Sequence, residues 1–371
     1  MSTITQEHIN AITLTCLEGI SLANLLRLYQ HLGSATAVLQ PDALSQIGEI
    51  ETSQREKWQY VLDNRQEAVQ RAEEQAAFCE KFGIQVLAFN DNDYPILLRQ
   101  CVDAPLVLYY QGNASLNASH MISIVGTRRI TEYGKDLCRH FCADLRKLLP
   151  DAVIVSGLAY GVDICSHRAA LQNGFITIGV VAHGNDMIYP NQHRATAREM
   201  VGQGGILTEY TIRTQPRAEN FVRRNRIVAG MSAATIVVES AKKGGALITA
   251  RLAQDYDRAI FAFPGRIGDE YSEGTNKLIA ENRAQLITSA QDFVEQMSWK
   301  PVKKAVQREL FPQLTDEEQR IVDMMKQSSQ TSVNQMTQTL QCPVQKLSSL
   351  LFQLEMKGIV RAIGGGFYKL L

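Results

Sequence analysis

Short apolar runs alternate with amphipathic segments through the middle of the chain. The runs predict strands at Ile122–Val125, Ala152–Val155, Ile176–Val181, Ile206–Thr208, Ala234–Val238, Ala259–Ala262 and Gln285–Ile287. Helical spacing falls between them, near 132–149, 161–172, 193–203, 218–230, 245–257 and 274–282. Several runs are apolar throughout, as strands covered by helices on both faces are. The pattern predicts an α/β domain with a Rossmann-like, doubly wound and mainly parallel sheet.

The two ends of the chain lack this alternation. Residues 8–75 carry apolar side chains at helical spacing and predict short helices, similar to a sterile-alpha-motif or helix-hairpin-helix (SAM/HhH-like) module. Near the other end, Thr315-Asp316-Glu317-Glu318 predicts a helix start. Two more helices and a glycine-bearing hairpin follow, which is the pattern of a winged helix. The predicted domains are 1–75, 76–297 and 312–371, with a polar linker at 298–311.

Composition indicates an ordinary globular protein. The 371 residues are 45% hydrophobic and 20% charged, and no apolar run approaches the ~18 residues of a membrane span. The polar start lacks the features of a signal peptide, so we expect a cytoplasmic protein without a membrane partner. The seven cysteines include no CxxC, which favours buried thiols over a metal site. A net charge of zero argues against a uniformly basic surface but leaves room for a local basic groove.

Two strand–helix junctions contain glycine turns. The run 122–125 is followed by Gly126-Thr127-Arg128-Arg129, and the run 152–155 by Ser156-Gly157. Glycine lets the backbone approach an anion, and a helix N-terminus supplies free N–H groups and a positive dipole end. On neighbouring parallel strands the two turns form one crevice at the carboxyl edge of the sheet. Such turns also occur for packing alone, but the pair together with two arginines favours an anion site.

Two further basic segments strengthen this interpretation. Arg223-Arg224-Asn225-Arg226 lies on a predicted helix, where Arg223 and Arg226 share a face and Phe221 offers a ring for base stacking. Lys242-Lys243-Gly244-Gly245 forms a third glycine turn before the helix that carries Arg251. Alone, the first cluster is explained equally well as a solvated face. The predicted DNA- and phosphate-binding residues are Gly126, Thr127, Arg128, Arg129, Ser156, Gly157, Arg223, Arg224, Asn225, Arg226, Lys242, Lys243, Gly244, Gly245 and Arg251.

Motifs of several common enzyme sites are missing from the sequence. It contains no GxxxxGK[ST], no GxGxxG and no GxSxG, which disfavours a P-loop NTPase, a dinucleotide-binding enzyme and a serine hydrolase. His183 and His193 flank a predicted loop, but a lone histidine is more often structural than catalytic. We therefore predict no catalytic residue, no metal and no cofactor.

Six segments occur in order between residues 123 and 276. They read SIVGTRR at 123–129, SGLAYGVD at 156–163, RNRIVAG at 224–230, GALITA at 245–250, FPG at 263–265 and EGTN at 273–276. Together they closely resemble the DNA-processing protein A (DprA/Smf) family, over about 85–290. The predicted helical module and winged helix agree with the architecture of that family.

The resemblance implies a non-enzymatic function. Members of the family bind single-stranded DNA, protect incoming strands during natural transformation and load the recombinase RecA, as homodimers built through the Rossmann-like domain. The family's basic DNA contacts match Arg128 or Arg129, Lys243 and the segment Arg224-Asn225-Arg226. Gly244 departs from the small residue or serine of many members, while the positive charge beside it is kept. We expect binding that prefers single strands, is largely independent of sequence and weakens with salt.

Two other functions remain open. Nucleotide-binding or nucleoside-monophosphate-cleaving Rossmann-like enzymes resemble this fold, and those that cleave carry GGxGTxxE with a catalytic glutamate. Aligning Gly244-Gly245 to that motif places Arg251 at the glutamate, and Glu239 could substitute only with a different geometry. A sequence-specific repressor would need a basic third helix in the winged helix, where Lys346 and Lys357 stand against Glu355.

Overall fold

The computed structural model describes residues 4–44, 52–300, 314–326, 328 and 330–370. The chain separates into two compact units, Met1–Val302 and Lys303–Leu371. From residue 301 onward, the predicted linker lies outside the described residues. None of the helices within the described ranges is both long and apolar enough to cross a membrane.

A nine-stranded sheet forms the centre of the first unit. Its strands are β1 (Gln85–Ala88), β2 (Val107–Gly112), β3 (Met121–Val125), β4 (Val153–Ser156), β5 (Ile176–Val180), β6 (Gly204–Thr208), β7 (Ala234–Val237), β8 (Ala259–Ala262) and β9 (Gln285–Leu286). The spatial order is β1-β2-β6-β5-β4-β3-β7-β8-β9. In this spatial order, neighbouring strands from β6 through to β9 pair in parallel, whereas β2 pairs antiparallel with both β1 and β6. The predicted mainly parallel sheet is confirmed.

Helices cover both faces of this sheet. They are α6 (Ile96–Arg99), α7 (Glu132–Leu148), α8 (Val162–Gln172), α9 (Arg194–Gly202), α10 (Ala218–Gly230), α11 (Gly245–Asp255), α12 (Glu273–Ala280) and α13 (Ala290–Gln296). Alternate residues of β3 enter different cores: Ile122 and Ile124 pack with α7 and α13, whereas Met121 and Val125 join the core on the opposite face, to which α10 and α11 contribute. Because each face is covered, β3, β4, β6 and β7 are buried at every position and not at alternate ones.

In the described residues before the sheet, the helices are α1 (Gln6–Cys16), α2 (Leu22–Leu32), α3 (Ala35–Val38), α4 (Thr52–Asp63) and α5 (Gln66–Phe82). The predicted helical N-terminus is confirmed. Apolar side chains of these helices belong to the same core cluster as β1 and β2. These helices therefore share a hydrophobic core with one face of the sheet. The predicted domain limits stay a prediction.

Within its described residues, the second unit contains three helices and a small sheet. It consists of α14 (Asp316–Met325), β10 (Thr331–Ser332), α15 (Val333–Leu340), α16 (Val344–Met356), β11 (Val360–Gly364) and β12 (Phe367–Leu370). Thr315 and Glu318 form the predicted capping box of α14. The hairpin β11–β12 gains a third strand, β10, that the sequence pattern did not indicate. The winged helix is confirmed.

The topological switch point of the sheet lies at β3. Strand β4 pairs in parallel with one edge of β3, and β7 pairs in parallel with the other. At such a switch point the connections leave in opposite directions and open a crevice at the carboxyl ends of the strands. The three predicted glycine turns follow β3, β4 and β7, so they meet at this edge of the sheet.

Candidate nucleic-acid interface

A cleft of about 510 Å³ opens at the carboxyl ends of β3, β4 and β7. Its walls come from the three glycine turns and from the first turns of α10 and α11. Eight predicted site residues line it: Gly126, Thr127, Arg128, Gly157, Arg224, Asn225, Gly244 and Gly245. The topology therefore joins segments that lie more than a hundred residues apart in the chain.

Backbone contacts hold the turns against one another. Thr127 donates its N–H to the carbonyl of Glu239 over 2.7 Å, and its own carbonyl accepts from Val162 N over 3.1 Å. Gly161 adopts φ +78°, and a Cβ there would overlap the Thr127 carbonyl oxygen. Glycine is required at this position both by the left-handed backbone and by the close approach. The rim of the cleft is thus fixed by the main chain.

Arg224 forms the floor of the cleft. Its side chain is 3% exposed and donates to the carbonyl of Gly157 over 2.5 Å and to the carbonyl of Val180. A Cβ on Gly157 would overlap this guanidinium and lie 2.6 Å from Asp163 Oδ2. Glycine at 157 therefore makes room for a buried cation, and Arg224 ties the ends of β4 and β5 together.

Burial shifts the pKa values of Arg224 and Asp163 at the floor of the cleft. It lowers the pKa of Arg224 to about 10, although the nearby Asp163 carboxylate opposes this shift. Burial also raises the pKa of Asp163 above its ordinary value, against the attraction of Arg224 and a hydrogen bond from Ala159 N. A guanidinium with a pKa near 10 remains protonated at neutral pH. The floor therefore carries a positive charge, and Nη1 of this guanidinium is committed to two carbonyls.

Aromatic rings and a second arginine form one side of the cleft. The guanidinium carbon of Arg128 lies 5.0 Å from the centroid of the Phe221 ring, and that of Arg224 lies 5.9 Å from it. The ring of Tyr189 lies 6.0 Å from that of Phe221 and is 45% exposed. Aromatic rings beside cations are the surface on which proteins hold unpaired bases.

The N-terminus of α11 faces the cleft. Gly244 is its N-cap and makes no side-chain capping bond, and Gly244, Gly245 and Ala246 line the cleft. The first N–H groups of a helix lack internal acceptors and carry the positive end of its dipole. Lys242 and Lys243 are exposed in the turn immediately before them. The arrangement suits an anion, since the backbone N–H groups donate to it without requiring a side-chain donor.

Seven predicted site residues lie outside the lining of the cleft. Lys242 and Lys243 flank it, and Arg129 is exposed with its side chain hydrogen-bonded to Tyr271. Ser156 is fully buried, and its hydroxyl donates to the carbonyl of Ile124 over 2.6 Å. This hydroxyl serves the strand pair β3–β4 and not a ligand. The remaining residues, Arg223, Arg226 and Arg251, line a separate cavity.

Arg223 and Arg226 share a helix face, as their spacing indicated, but that face is turned toward Glu209. Arg226 Nη2 lies 2.5 Å from Glu209 Oε2, and Arg223 Nη2 lies 3.6 Å from the same oxygen. Sequence reasoning missed this acid and the cleft residues Asp163 and Tyr189. The available signal for Glu209 is its place directly after β6, at the same carboxyl edge as the glycine turns.

Glu239 serves the start of α7. Its carboxylate accepts from Thr131 N over 2.9 Å and from Thr131 Oγ1 over 2.5 Å, and the side chain is buried. An anion at this helix N-terminus is stabilised by the dipole and by the N–H groups. Among the described residues, no three His, Cys, Asp or Glu side chains converge as a metal would require.

Two family models match the sequence. The model of DNA recombination-mediator protein A covers residues 85–298, and that of the DprA winged helix domain covers 308–366. The DNA processing protein DprA of Bacillus subtilis is 39% identical over 223 residues, which is 60% of this chain and 74% of the relative.

Two solved structures are similar to this chain. The X-ray structure of DNA processing protein A from Streptococcus pneumoniae superposes with a TM-score of 0.67 at 30% identity, over 80% of this chain and 99% of the other. DNA processing protein A from Helicobacter pylori, studied for its single-stranded DNA binding mode, gives a TM-score of 0.53 at 34% identity. That match covers 58% of this chain and 96% of the other.

Proposed function

Because this chain belongs to the DNA recombination-mediator protein A (DprA) family, as its motifs predicted, we propose that it binds single-stranded DNA in the cleft at β3, β4 and β7. The observation that carries the proposal is the convergence of the α11 N-terminus, the Arg128 guanidinium and the rings of Phe221 and Tyr189 on one cleft. The Helicobacter pylori relative, studied for its single-stranded DNA binding mode, supports the same ligand class.

Phosphates and bases are held by different parts of the cleft. Backbone N–H groups at Gly245 and Ala246 and the guanidinium of Arg128 hold phosphate oxygens, with Lys242 and Lys243 beside them. Arg224 adds positive potential from the floor, where its Nη1 donates to two carbonyls and its Nε to the side chain of Asn225. Bases stack at Phe221 and Tyr189, which they reach only when they are not paired in a duplex. Binding is therefore selective for single strands and largely independent of sequence.

The wider role follows from the family. The matched family is described as a recombination mediator, and on that basis we propose that the chain protects incoming strands and loads RecA during natural transformation or homologous recombination. We also propose a homodimer through the Rossmann-like domain. A second copy of the cleft would raise affinity for a long strand by making the second contact intramolecular.

The geometry gives little support to a nucleoside-monophosphate-cleaving enzyme. Arg251, which aligns with the catalytic glutamate of such enzymes, lines the other cavity, and Glu239 is buried at the start of α7 with its oxygens on Thr131. Neither residue offers a carboxylate to a ligand in the cleft, so we propose a non-enzymatic role.

A repressor that reads duplex DNA with α16 is also disfavoured. The ammonium group of Lys346 lies 2.5 Å from Glu317, and that of Lys357 lies 2.7 Å from Glu318. Lys346 of α16 and Lys357 at its C-cap are therefore both paired with acids of α14, which lowers the positive potential that a recognition helix needs.

The proposal is tested by charge reversal in the cleft. Arg128→Glu combined with Lys243→Glu should abolish tight binding of labelled oligothymidylate. Because each substitution removes one cation from a phosphate, the slope of log K against log salt should become shallower by roughly 1.4, at about 0.7 per phosphate on a single strand. Binding to duplex of equal length should be weak throughout.

The matched control places the same charge change elsewhere. Arg139→Glu combined with Lys147→Glu reverses two exposed cations of α7 that pair only with neighbours on their own helix. It should leave the salt slope unchanged. If both double variants fold and bind oligothymidylate equally, the cleft is not the DNA site.

A further inference from the structure

A second cavity, of about 780 Å³, lies between the N-terminal helices and the sheet. Its wall is formed by the α1–α2 connection, the segment before β2, the segment after β6, and side chains of α10 and α11. Val222 and Ile248 line this cavity and the DNA cleft alike, so the two spaces are neighbours. A volume in this range accommodates a ligand of several tens of atoms.

An ion pair with unused hydrogen-bonding capacity lies in the wall. The side chains of Arg226 and Glu209 are each 6% exposed, and they pair through Nη2 and Oε2. The other atoms of the pair, Arg226 Nη1 and Glu209 Oε1, are buried without a hydrogen-bond partner in the described part of the chain. A buried donor and acceptor left in this state lower stability. A ligand that presents an acceptor next to a donor would satisfy both.

Additional arginines surround this pair. Arg71, Arg223 and Arg251 line the cavity and are exposed to solvent. The acids in the lining are already engaged, since Glu209 pairs with Arg226 and Asp103 accepts from Tyr256 over 2.6 Å. The surplus of guanidinium groups favours a phosphate.

Apolar side chains complete the lining. Leu25, Leu106 and Ile248 provide surface on which an uncharged ring can pack. Anionic groups at the arginines, a ring against leucines and a paired donor and acceptor match the parts of a nucleotide. The edges of nucleobases carry hydrogen-bond donors beside acceptors.

We propose that this cavity binds one nucleotide unit, with the base edge on Arg226 and Glu209 and the phosphate at Arg71, Arg223 and Arg251. The unit comes either from a free nucleotide or from a DNA strand that continues past Val222 and Ile248 out of the cleft. Only the second source rests on the proposed function.

The test uses the full chain and defined probes. Titration calorimetry with dAMP, dCMP, dGMP and dTMP is compared with deoxyribose 5-phosphate and inorganic phosphate, and labelled oligothymidylates of four and twelve nucleotides are titrated in parallel. The variants are Arg71→Ala and Arg251→Ala, both at exposed arginines. Arg198→Ala, an exposed arginine of α9 that lines neither cavity, is the control.

The two sources of the nucleotide predict different results. Free-nucleotide binding predicts that a mononucleotide binds at least tenfold more tightly than deoxyribose 5-phosphate, and that Arg71→Ala weakens it by about tenfold, the effect expected of one charge-assisted hydrogen bond. The strand source predicts that Arg71→Ala weakens the twelve-nucleotide probe and spares the four-nucleotide one.

Two results overturn the proposal. One is that neither variant differs from Arg198→Ala with any probe. The other is that inorganic phosphate binds as tightly as every nucleotide, which would mean an anion site only. Failure of the proposed function is seen separately, because charge reversal at Arg128 and Lys243 tests the cleft and leaves the mononucleotide measurement readable.

Discussion

Gly245 at the start of α11 separates the requirements of folding from those of DNA binding. Nothing lies within 4 Å of the Cβ that an alanine would add there, and its φ is outside the left-handed region. Folding alone therefore does not require glycine. Gly245→Ala should raise the free energy of unfolding by about 0.4–1 kcal/mol, because alanine reduces the freedom of the unfolded chain.

Binding should respond in the opposite direction. Gly245 lines the cleft, and a methyl group there occupies the space through which a phosphate reaches the first N–H groups of α11. Removing one charge-assisted hydrogen bond costs about 1.5–3 kcal/mol. The affinity for oligothymidylate should therefore fall by about tenfold or more.

Gly202 provides the matched control. It ends α9, an alanine Cβ there also meets nothing within 4 Å, and it lines neither cavity. Gly202→Ala should match the wild type in oligothymidylate affinity. Urea unfolding and fluorescence anisotropy measure the two quantities. If Gly245→Ala binds as tightly as Gly202→Ala, no phosphate approaches α11, and if it unfolds at lower urea than the wild type, the space at Gly245 is not open.

Two further predictions concern the buried groups beside the cleft. Arg224→Ala removes the donor of two carbonyls and the cation nearest Asp163, so the free energy of unfolding should fall by about 3 kcal/mol or more. Arg128→Ala, at an exposed site, should leave the midpoint of urea unfolding unchanged. If Arg224→Ala and Arg128→Ala unfold at the same midpoint, Arg224 does not stabilise the floor of the cleft. Burial lowers the pKa of His167 from 6.5 to about 3. Between these two pH values the imidazole is protonated in the unfolded chain and neutral in the folded protein. The free energy of unfolding therefore falls as the pH drops from about 6.5 toward 3. Between pH 7 and pH 5, the free energy of unfolding of His167→Gln should fall by about 2 kcal/mol less than that of the wild type. If urea unfolding gives the same fall for both proteins, His167 is not the origin of the acid sensitivity.

The sheet was predictable because its signals are local. An apolar run, a glycine and an amphipathic segment identify each strand–turn–helix unit without reference to the rest of the chain. Parallel strands carry their turns on one edge, so Gly126, Gly157 and Gly244 could be expected together once β3, β4 and β7 were predicted. The small strand β10 gave no such signal, since its two residues Thr331 and Ser332 pair only through the hairpin partner β12.

The roles of the α10 arginines could not be predicted in the same way. Helical spacing predicts which side chains share a face, but segments distant in the sequence determine what that face contacts. Arg224 meets carbonyls of Gly157 and Val180, and Arg226 meets Glu209, all from other strand ends. A long basic side chain is equally compatible with solvent, phosphate or a buried partner until those strand ends are placed.

The basic motif Arg223-Arg224-Asn225-Arg226 is therefore divided between three tasks. Arg224 links two strand ends under the cleft, Arg226 forms a buried pair with Glu209, and Arg223 remains half exposed at the second cavity. Two of the three guanidinium groups are removed from solvent, and a buried cation cannot release counterions on binding as an exposed one does. The groups placed to meet phosphate directly in the cleft are then Arg128 and the main chain of the third turn, flanked by Lys242 and Lys243. A zero net charge is compatible with such a site, because its attraction for an anion depends on a few oriented groups at one sheet edge and not on the total charge of the chain.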